Sequence, residues 1–477
     1  MNKQWFFAII VLLFSSNNQA QITDSIFVQK DSLVILDTIP EIVPENLVGN
    51  PKAIAVFFQK LINLQKSKFG KINIVHIGDS HIQADLMTNI TRKNLQNYFG
   101  NAGRGLLFPH SLAKTNGSWD AKFSSNANWS SYRNVSPVNG TFVGLSGIAL
   151  SSKSKDFYIQ MTVKDSTNFF NTIKFVTPYN QDSFSVSTEK RIIATEVKVP
   201  KKINYKIKRG EVISKIADKY NVSISEIKMA NGLKSNNIRA GKTLRIPTNE
   251  MEIKTAEKSE FIPLTMFSET SSHLYKSENL LDKIFIVPNK FENEFVLNGI
   301  ILENNNAGIL YHNIGVNGAK LSDYNKYPLF FEQLKSLNPD LVIVSLGTNE
   351  SFDKMKSEDY MVQLDMFLQN IKNQNPETNF LIATPPPSYF ERKFPNIFVA
   401  DYAQKISNLA VEKNYAFWDM YSQLGGLYGV DRNYRKGFMA NDKVHYSKQG
   451  YEIQGNLLYE AILKAYNVYN NPQTSKN

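Results

Sequence analysis

Apolar residues at helical spacing alternate with short β-branched runs in two separate parts of the chain. The stretch PKAIAVFFQKLINLQKSKFG, residues 51–70, predicts a helix, and KINIVHIG after it predicts a buried strand. IQADLMTNITRKNLQNYFG predicts a second helix that ends at Gly100. The alternation returns near Asn313, with strand runs in DLVIVSLG, TNFLIATPPP and YAFWDMYSQL and a closing helix in SKQGYEIQGNLLYEAILKAYNVY. This pattern predicts a parallel α/β sheet with functional groups at the carboxyl ends of its strands.

The middle of the chain has a different pattern. DFYIQMTVKD, NTIKFVTP, DSFSVSTE and KIFIVPNKFENEFVLNGIILEN are short alternating runs separated by turn residues, which predict antiparallel strands. We interpret them as one β-sandwich in two halves. A strand, helix, helix, strand pattern interrupts it, in which Ser223 and Glu226 predict a capping box and Asn231 and Gly232 end the second helix.

These patterns divide the chain into eight segments. We predict a signal peptide at 1–20, an extended lead-in at 21–50, the α/β domain at 51–112 and 306–470, the β-sandwich at 113–202 and 248–305, the inserted module at 203–247 and a tail at 471–477.

The N-terminus has the features of an export signal. Lys3 precedes an apolar run from Trp5 to Phe14, which is too short to span a bilayer, and Ala20 precedes the expected cleavage site. The alternative is an uncleaved membrane anchor. Cleavage predicts an exported protein of the periplasm or cell envelope, without a stable membrane anchor.

Composition narrows the chemistry. The chain has no cysteine, which excludes disulfides, thiolate metal sites and a cysteine nucleophile. Its six histidines are scattered without an HExxH motif, so we predict neither a metal nor another cofactor.

The net charge of +11 is concentrated in one segment. Residues 201–247 hold twelve Lys and Arg against three Asp and Glu, whereas the remaining chain has 42 basic and 40 acidic residues. The basic charge therefore belongs to the inserted module. It predicts an anionic wall or membrane surface as its partner, and no nucleic acid.

Ser80 lies in HIGDSH, directly after a predicted strand and before a predicted helix. A serine there can attack a carbonyl while nearby N–H groups stabilise the oxyanion, although on this stretch alone a helix N-cap is the commoner role. His445, with Asp442 three residues before it, can supply a base and the acceptor that orients it. An isolated D-x-x-H is also common by chance in surface loops.

Two further residues follow strand-like runs. Asn349 in VSLGTNES can donate an amide hydrogen to an oxyanion, or it can form an Asx turn. Gly318 in NIGVNGAKLSDY can offer an unobstructed backbone N–H, or it can be an ordinary loop glycine.

The blocks IGDSH, NGA, GTNE and DKVH, in this order, resemble the four sequence blocks of the SGNH (GDSL-type) hydrolases. The resemblance implies a flavodoxin-like, three-layer α/β/α domain with a parallel sheet. It implies Ser80 as the nucleophile, His445 as the base and Asp442 as the residue that orients the base. It also implies an oxyanion hole made by the N–H groups of Ser80 and Gly318 and the side chain of Asn349.

The first block departs from the family because it reads GDSH rather than GDSL. His81 therefore stands beside the nucleophile in place of an apolar residue. We interpret His81 as a packing or substrate-side residue, since His445 already supplies the base.

Residues 203–247 resemble a LysM module over their whole length, from YKIKRGEVI through NGL to GKTLRIP. The resemblance implies a βααβ fold that binds the N-acetylglucosamine-containing glycan of peptidoglycan or chitin. A spacer that has lost binding is the alternative. Carried over by position, the glycan groove is lined by Gly210, Glu211, Val212, Ile213, Asn231, Gly232 and Leu233.

The layout resembles the peptidoglycan O-acetylesterases, in which a jelly-roll-like β-sandwich accompanies an SGNH core. It implies a serine esterase that removes O-acetyl groups from cell-wall glycan. One alternative is an esterase or O-acetyltransferase that acts on another acetylated polysaccharide. Another is a non-catalytic wall-binding protein whose SGNH fold has lost its catalytic activity.

Overall fold

A computed structural model describes residues 44–289 and 292–471. The predicted signal peptide, residues 21–43 of the lead-in and residues 472–477 of the tail lie outside the described residues. Within the described ranges, no helix is both long and apolar enough to cross a membrane.

The central sheet of the described chain has six strands, of which five are parallel. In spatial order the strands are Val48–Gly49, Ala416–Trp418, Asn379–Ala383, Leu341–Ser345, Lys71–Gly78 and Gly308–Gly315. The first is a short antiparallel edge. The parallel strands follow the flavodoxin-like order 2-1-3-4-5. This order changes direction between Lys71–Gly78 and Leu341–Ser345, and the crevice at such a switch point is where ligands bind in open α/β sheets.

Helices cover both faces of this sheet and make three layers. Alternate side chains of the strand Lys71–Gly78 enter two different cores, Ile72 and Ile74 on one face and Val75 and Ile77 on the other. The main helices are Ala55–Ser67, Leu86–Phe99, Pro328–Leu334, Ser357–Gln374, Ile397–Leu409 and Lys448–Asn470. Shorter helices are Ser80–Gln83, Leu321–Asn325, Thr348–Phe352, Met420–Gln423 and Gly429–Arg435, and Tyr389–Phe390 pairs with Phe394–Pro395 in a small hairpin.

The helix predicted after Ser80 is divided in two, which corrects the sequence interpretation. Ser80–Gln83 ends before Asp85, and Leu86–Phe99 starts after it. Asp85 has a φ of +59°, a left-handed conformation that interrupts a right-handed helix. Gly100 ends the longer helix, as predicted.

Buried ion pairs hold Asp85 in this conformation. Its carboxylate lies 2.6 Å from Arg92 and 2.6 Å from Arg104, and Arg104 lies 2.6 Å from Asp120. Although burial opposes ionisation, the two guanidinium groups lower the pKa of Asp85. Asp120 directly precedes Ala121–Ser125, a strand of the β-rich insertion. The network of ion pairs therefore connects the α/β domain to this insertion.

The insertion forms a β-sandwich of antiparallel sheets around an apolar core. One sheet contains Phe267–Ser268, His273–Leu281, Phe170–Val176, Gly299–Glu303 and Gly105–Leu107. A second contains Ala121–Ser125, Ile159–Val163, Lys283–Pro288 and Phe184–Ser187, and a third contains Phe295–Leu297, Ile148–Ser152 and Ser130–Arg133. Gly105–Leu107 lies before residue 113, where we predicted the sandwich to start, yet it hydrogen-bonds with this region.

A long two-stranded ribbon, Arg191–Lys206 with Thr243–Glu260, leaves the sandwich. Its first ten residue pairs run from Arg191 opposite Glu260 to Pro200 opposite Met251, a length of roughly 30 Å at about 3.3 Å per residue. These residues fall in the segments that we predicted as sandwich, but they pair with each other. The sequence did not distinguish them from sandwich strands, because their alternation of apolar and charged residues is the same as that of a sandwich strand.

The LysM module occupies the far end of the ribbon. Its helices are Ile213–Tyr220 and Ile224–Asn231, and they pack on the ribbon strands around a small core of their own. The predicted capping box of Ser223 and Glu226 is present, and Gly232 ends the second helix with a φ of +64°. The predicted order of strand, helix, helix and strand is confirmed for this module.

Candidate active site

Ser80, His445 and Asp442 form an unbroken chain of hydrogen bonds. The Ser80 Oγ lies 2.9 Å from His445 Nε2, and His445 Nδ1 lies 2.7 Å from Asp442 Oδ2. Asp442 Oδ1 accepts the backbone N–H groups of Val444 and His445, each at 3.0 Å. Burial opposes the ionisation of Asp442, but the hydrogen bonds from the ring and the backbone lower its pKa to about 2. Asp442 is therefore an ionised acceptor for the His445 ring at neutral pH.

Ser80 is the first residue of a helix and not its N-cap. The cap is Asp79, whose side chain accepts the His81 N–H at 2.9 Å. The N-cap role that the local sequence left open for Ser80 is thus filled by Asp79, and the Ser80 hydroxyl faces His445. The N–H of Ser80 belongs to the first turn, where a helix provides no acceptor.

Two of the three expected oxyanion donors are free. In the part of the chain that the structure describes, neither the N–H of Ser80 nor that of Gly318 has a hydrogen-bond acceptor. The Asn349 amide is different, because its Nδ2 donates to Asp79 Oδ2 at 3.2 Å and to the carbonyl of Ala319 at 3.0 Å. Asn349 lines the same cleft, but an oxyanion would have to replace one of these two acceptors.

These groups open into a single cleft of about 570 Å³. The cleft lies at the carboxyl ends of the sheet strands, beside the switch point. Its lining residues are mostly small or polar: Ser80, Ala84, Asn116, Asn317, Gly318, Thr348, Asn349, Val444, His445 and Tyr451. Asn116 comes from the loop between the sandwich strands Gly105–Leu107 and Ala121–Ser125, so the insertion contributes to the wall.

His81 packs beneath the base. Its ring centroid lies 5.2 Å from that of His445, and its Nδ1 lies 2.9 Å from the Tyr451 hydroxyl. Burial, together with the nearby His445, lowers the pKa of His81 to about 3. His81 is thus a neutral packing residue at neutral pH, consistent with our interpretation of it as something other than a second base.

Two buried carboxyl groups, those of Asp79 and Glu350, lie next to Ser80 and Asn349 in the chain, and no local pattern indicated their protonation state. Burial raises the pKa of Asp79 to about 7, although the His81 N–H and the charge of His445 work against the rise. Burial likewise raises the pKa of Glu350 to about 8. Glu350 Oε1 accepts the Leu321 N–H at 2.8 Å, and Oε2 has no hydrogen-bond partner in the described chain.

Replacing Glu350 by glutamine is expected to flatten the pH dependence of stability. Because the folded pKa of about 8 lies above the ordinary value of 4.5, the folded protein binds the proton more tightly, and stability falls as pH rises between these values. Glutamine keeps an acceptor for Leu321 and cannot ionise. Between pH 5 and pH 8 the wild type should lose up to about 3 kcal/mol of unfolding free energy that Glu350→Gln retains.

Urea denaturation of both proteins at pH 5, 6.5 and 8 measures this difference. Glu332→Gln is the control, since it makes the same substitution at an exposed position. Parallel pH profiles for the wild type and Glu350→Gln would contradict a protonated Glu350.

The structure places the seven predicted LysM groove residues in three different environments. Gly210, Val212 and Gly232 are exposed, and Leu233 is half-buried. The prediction that Ile213 lines the groove is wrong, because Ile213 is buried in the core of the module.

Glu211 and Asn231 both bind other parts of the module. Glu211 accepts the Tyr205 hydroxyl at 2.6 Å and the Lys208 N–H at 2.7 Å. Asn231 exchanges hydrogen bonds with the backbone of Arg245, at 2.7 and 2.8 Å. These contacts join the helices and loops of the module to its strands.

Among the described residues, no group of three or more His, Asp or Glu side chains is arranged to hold a metal ion.

The fold is that of the SGNH (GDSL-type) hydrolases, and its cleft holds a serine, a histidine and a carboxylate in the arrangement of a serine esterase. Residues 299–453 match the model of the GDSL-like Lipase/Acylhydrolase family, and residues 205–247 match that of the LysM domain. The first match contains Gly318, Asn349, Asp442 and His445 but begins after Ser80, because the insertion separates the nucleophile from the other blocks.

The fold is similar to that of a solved structure described as a peptidoglycan O-acetylesterase. The similarity covers 88% of this chain and 98% of that chain, with a TM-score of 0.55 and 19% identity. It therefore extends over the insertion as well as the α/β domain.

Other solved structures match a smaller part of the chain. A lipase/acylhydrolase from Enterococcus faecalis has 20% identity over 32% of this chain and 76% of that chain, with a TM-score of 0.27. An acetyl-xylooligosaccharide esterase from Geobacillus has 19% identity over 34% and 73%, with a TM-score of 0.26. A sequence search of curated proteins found no match.

Proposed function

We propose that this protein is an exported esterase that removes O-acetyl groups from cell-wall glycan, with peptidoglycan as its substrate. The observation that carries the proposal is the hydrogen-bond chain from Ser80 through His445 to Asp442, beside two free N–H donors in one cleft. A serine, a base and an oriented acceptor are the parts that acyl transfer to serine requires.

In the acylation step, Ser80 Oγ attacks the acetyl carbonyl and its proton moves to His445 Nε2. The Asp442 carboxylate stabilises the imidazolium that forms. The N–H groups of Ser80 and Gly318 donate to the oxyanion, which Asn349 also reaches if it gives up its contact with Asp79. The tetrahedral intermediate then expels the sugar hydroxyl, which takes the proton from His445.

Deacylation repeats these steps with water in place of Ser80 as the nucleophile. His445 accepts a proton from the water that attacks acetyl-Ser80, and the same N–H groups stabilise the second oxyanion. Acetate leaves, and Ser80 Oγ recovers its proton from His445.

The cleft supports a short acyl group on a sugar. A volume of about 570 Å³ falls within the range of small-ligand sites. Asn116, Asn317 and Thr348 in its wall offer hydrogen bonds that suit sugar hydroxyls better than a long acyl chain.

The LysM domain supports a wall glycan as the substrate. Domains of this family bind N-acetylglucosamine-containing glycans, and the basic charge of this module suits an anionic wall. Binding of the wall glycan by the LysM module, which the ribbon joins to the rest of the protein, would keep the cleft near its substrate. It would thereby raise the local concentration of acetyl groups. The similar fold of the peptidoglycan O-acetylesterase agrees with this choice of substrate.

Acetate release from three substrates tests the proposal. O-acetylated sacculi, chemically de-O-acetylated sacculi and acetylated xylan are incubated with the full chain, and Ser80→Ala protein serves as the blank. We expect acetate from the O-acetylated sacculi, none above the blank from the de-O-acetylated sacculi and a slower release from xylan.

The other outcomes identify the alternatives. Faster release from xylan would replace peptidoglycan by another acetylated polysaccharide. Acetyl groups that appear on a glycan acceptor would identify a transferase. Binding to sacculi without release of acetate from any substrate would identify a non-catalytic wall-binding protein.

A further inference from the structure

The oxyanion donor Gly318 lies in a tight turn whose type decides where its N–H points. The Ala319 N–H donates to the Val316 carbonyl at 3.0 Å, which closes a β-turn with Asn317 and Gly318 at its centre. Gly318 has a φ of +82°, and Asn317 does not have a positive φ. These values define a type II turn, in which the central peptide is reversed relative to a type I turn. The direction of the Gly318 N–H therefore depends on maintenance of this turn type.

Gln83 holds the turn from the side of the nucleophile. It is the last residue of the short helix that starts at Ser80, and it is buried. Its Oε1 accepts the Asn317 N–H at 2.5 Å, one peptide before the Gly318 N–H. The same short helix thus carries the nucleophile and a contact to the donor loop.

Gln83 is itself held by a loop of the insertion. Its Nε2 donates to the Asn116 carbonyl at 2.7 Å and to Thr115 Oγ1 at 2.9 Å. The side chain of Asn116 also contacts the turn directly, because its Oδ1 accepts Asn317 Nδ2 at 2.7 Å. The donor loop is consequently bonded to two different parts of the chain.

We propose that Gln83 is a positioning residue for the oxyanion hole, which keeps the Gly318 N–H directed into the cleft. The inference rests on the proposed function, since it assigns a role only if acyl transfer occurs at Ser80. Without the Gln83 acceptor, the Asn317 N–H loses its partner and the turn gains access to the type I arrangement. In that arrangement the central N–H points away from the cleft, and the oxyanion loses a donor.

Gln83→Met tests this role, because methionine has a similar length and no hydrogen-bonding amide. We expect kcat/KM for p-nitrophenyl acetate to fall about ten- to hundred-fold, less than the roughly 10²- to 10³-fold effect of removing an oxyanion donor outright. The fall should appear in kcat, with KM within about two-fold. The inhibition constant of phenylboronic acid, whose serine adduct is tetrahedral, should rise by the same factor as kcat/KM falls.

Gln96→Met is the matched control. Gln96 is also buried, and its Nε2 donates to the carbonyls of Gly103 and Ile309 at 2.8 and 3.0 Å. Gln96→Met should lower the melting temperature about as much as Gln83→Met and leave kcat within about two-fold. Equal effects of the two variants on kcat would reduce Gln83 to a structural residue and overturn the proposal.

Asn116→Ala provides a second test if Gln83→Met does not fold. It removes the other contact to Asn317 at an exposed position, and a fall in kcat/KM of about three- to ten-fold, with the same rise in the boronate constant, is expected. An unchanged kcat/KM and an unchanged boronate inhibition constant overturn the proposal.

If the wild type hydrolyses no ester, or Ser80→Ala retains its activity, the proposed function fails instead, so the two failures are distinguishable.

Discussion

Ser80→Ala is expected to lower kcat for p-nitrophenyl acetate by roughly 10⁶-fold, the scale of loss when a serine nucleophile is removed from a complete triad. The Ser80 Oγ is the atom of this cleft that lies within hydrogen-bond distance of the base, at 2.9 Å from His445 Nε2. Alanine leaves His445 and Asp442 in place with no oxygen to form the acyl intermediate. The measurement is steady-state hydrolysis, accompanied by circular dichroism of the purified variant.

A second serine–histidine pair in the same fold provides the matched control. Ser345 Oγ lies 2.7 Å from His76 Nε2, and His76 Nδ1 lies 2.7 Å from the Tyr311 hydroxyl. All three residues are buried, and burial lowers the pKa of His76 to about 3.

Ser345→Ala should therefore leave kcat within about three-fold, at a stability cost of about 1 kcal/mol. Esterase activity that survives Ser80→Ala would eliminate the acyl-Ser80 mechanism. Equal losses in both variants would indicate damage to the fold.

Asp442→Asn is expected to lower kcat by roughly 10⁴-fold, because it reverses the hydrogen bond that orients the base. Oδ1 of residue 442 accepts two backbone N–H groups, so an asparagine there keeps its oxygen in that position. Its Nδ2 then faces His445 Nδ1 and donates to it. The imidazole proton must consequently reside on Nε2, which becomes a donor to Ser80 and is no longer a base.

Asp431→Asn is the control for Asp442→Asn, because Asp431 supports the same loop without contact with the base. Asp431 accepts the Tyr389 hydroxyl and lies 2.9 Å from Lys443 Nζ, next to Asp442 in the chain. We expect Asp431→Asn to retain at least about a tenth of the wild-type kcat. If Asp442→Asn also retained a tenth, the carboxylate would not set the tautomer of His445.

The local sequence predicted the strand ends on which the site is built. The strand before Ser80 and the strand before Asn349 are short apolar runs followed by a glycine turn, and the structure places both at the switch point of the sheet. The strand Gly308–Gly315 was not recognised, because GILYHNIG follows the sandwich strands without a clear break in pattern. Its pairing with Lys71–Gly78 brings Gly318 to the same edge as Ser80.

Other features of the site depend on contacts between residues far apart in the chain. Asp79 is the cap of the short helix, a role for which the local sequence had also offered Ser80. The Asn349 amide binds Asp79 and Ala319, which no local pattern indicated. The elevated pKa of Glu350 follows from burial, which depends on the packing of the surrounding elements.

The sequence by itself determined most of the elements, the LysM module and the order of the four blocks, because periodicity and turn residues act over a few positions. Only the tertiary structure decided that Ser80, 365 positions from His445, lies within hydrogen-bond distance of it. It alone also decided that Gln83 and Asn116 meet at the turn that carries Gly318. The physical reason is that hydrogen bonding and desolvation depend on distances in space, and the parallel crossovers of the sheet bring remote segments together at one edge.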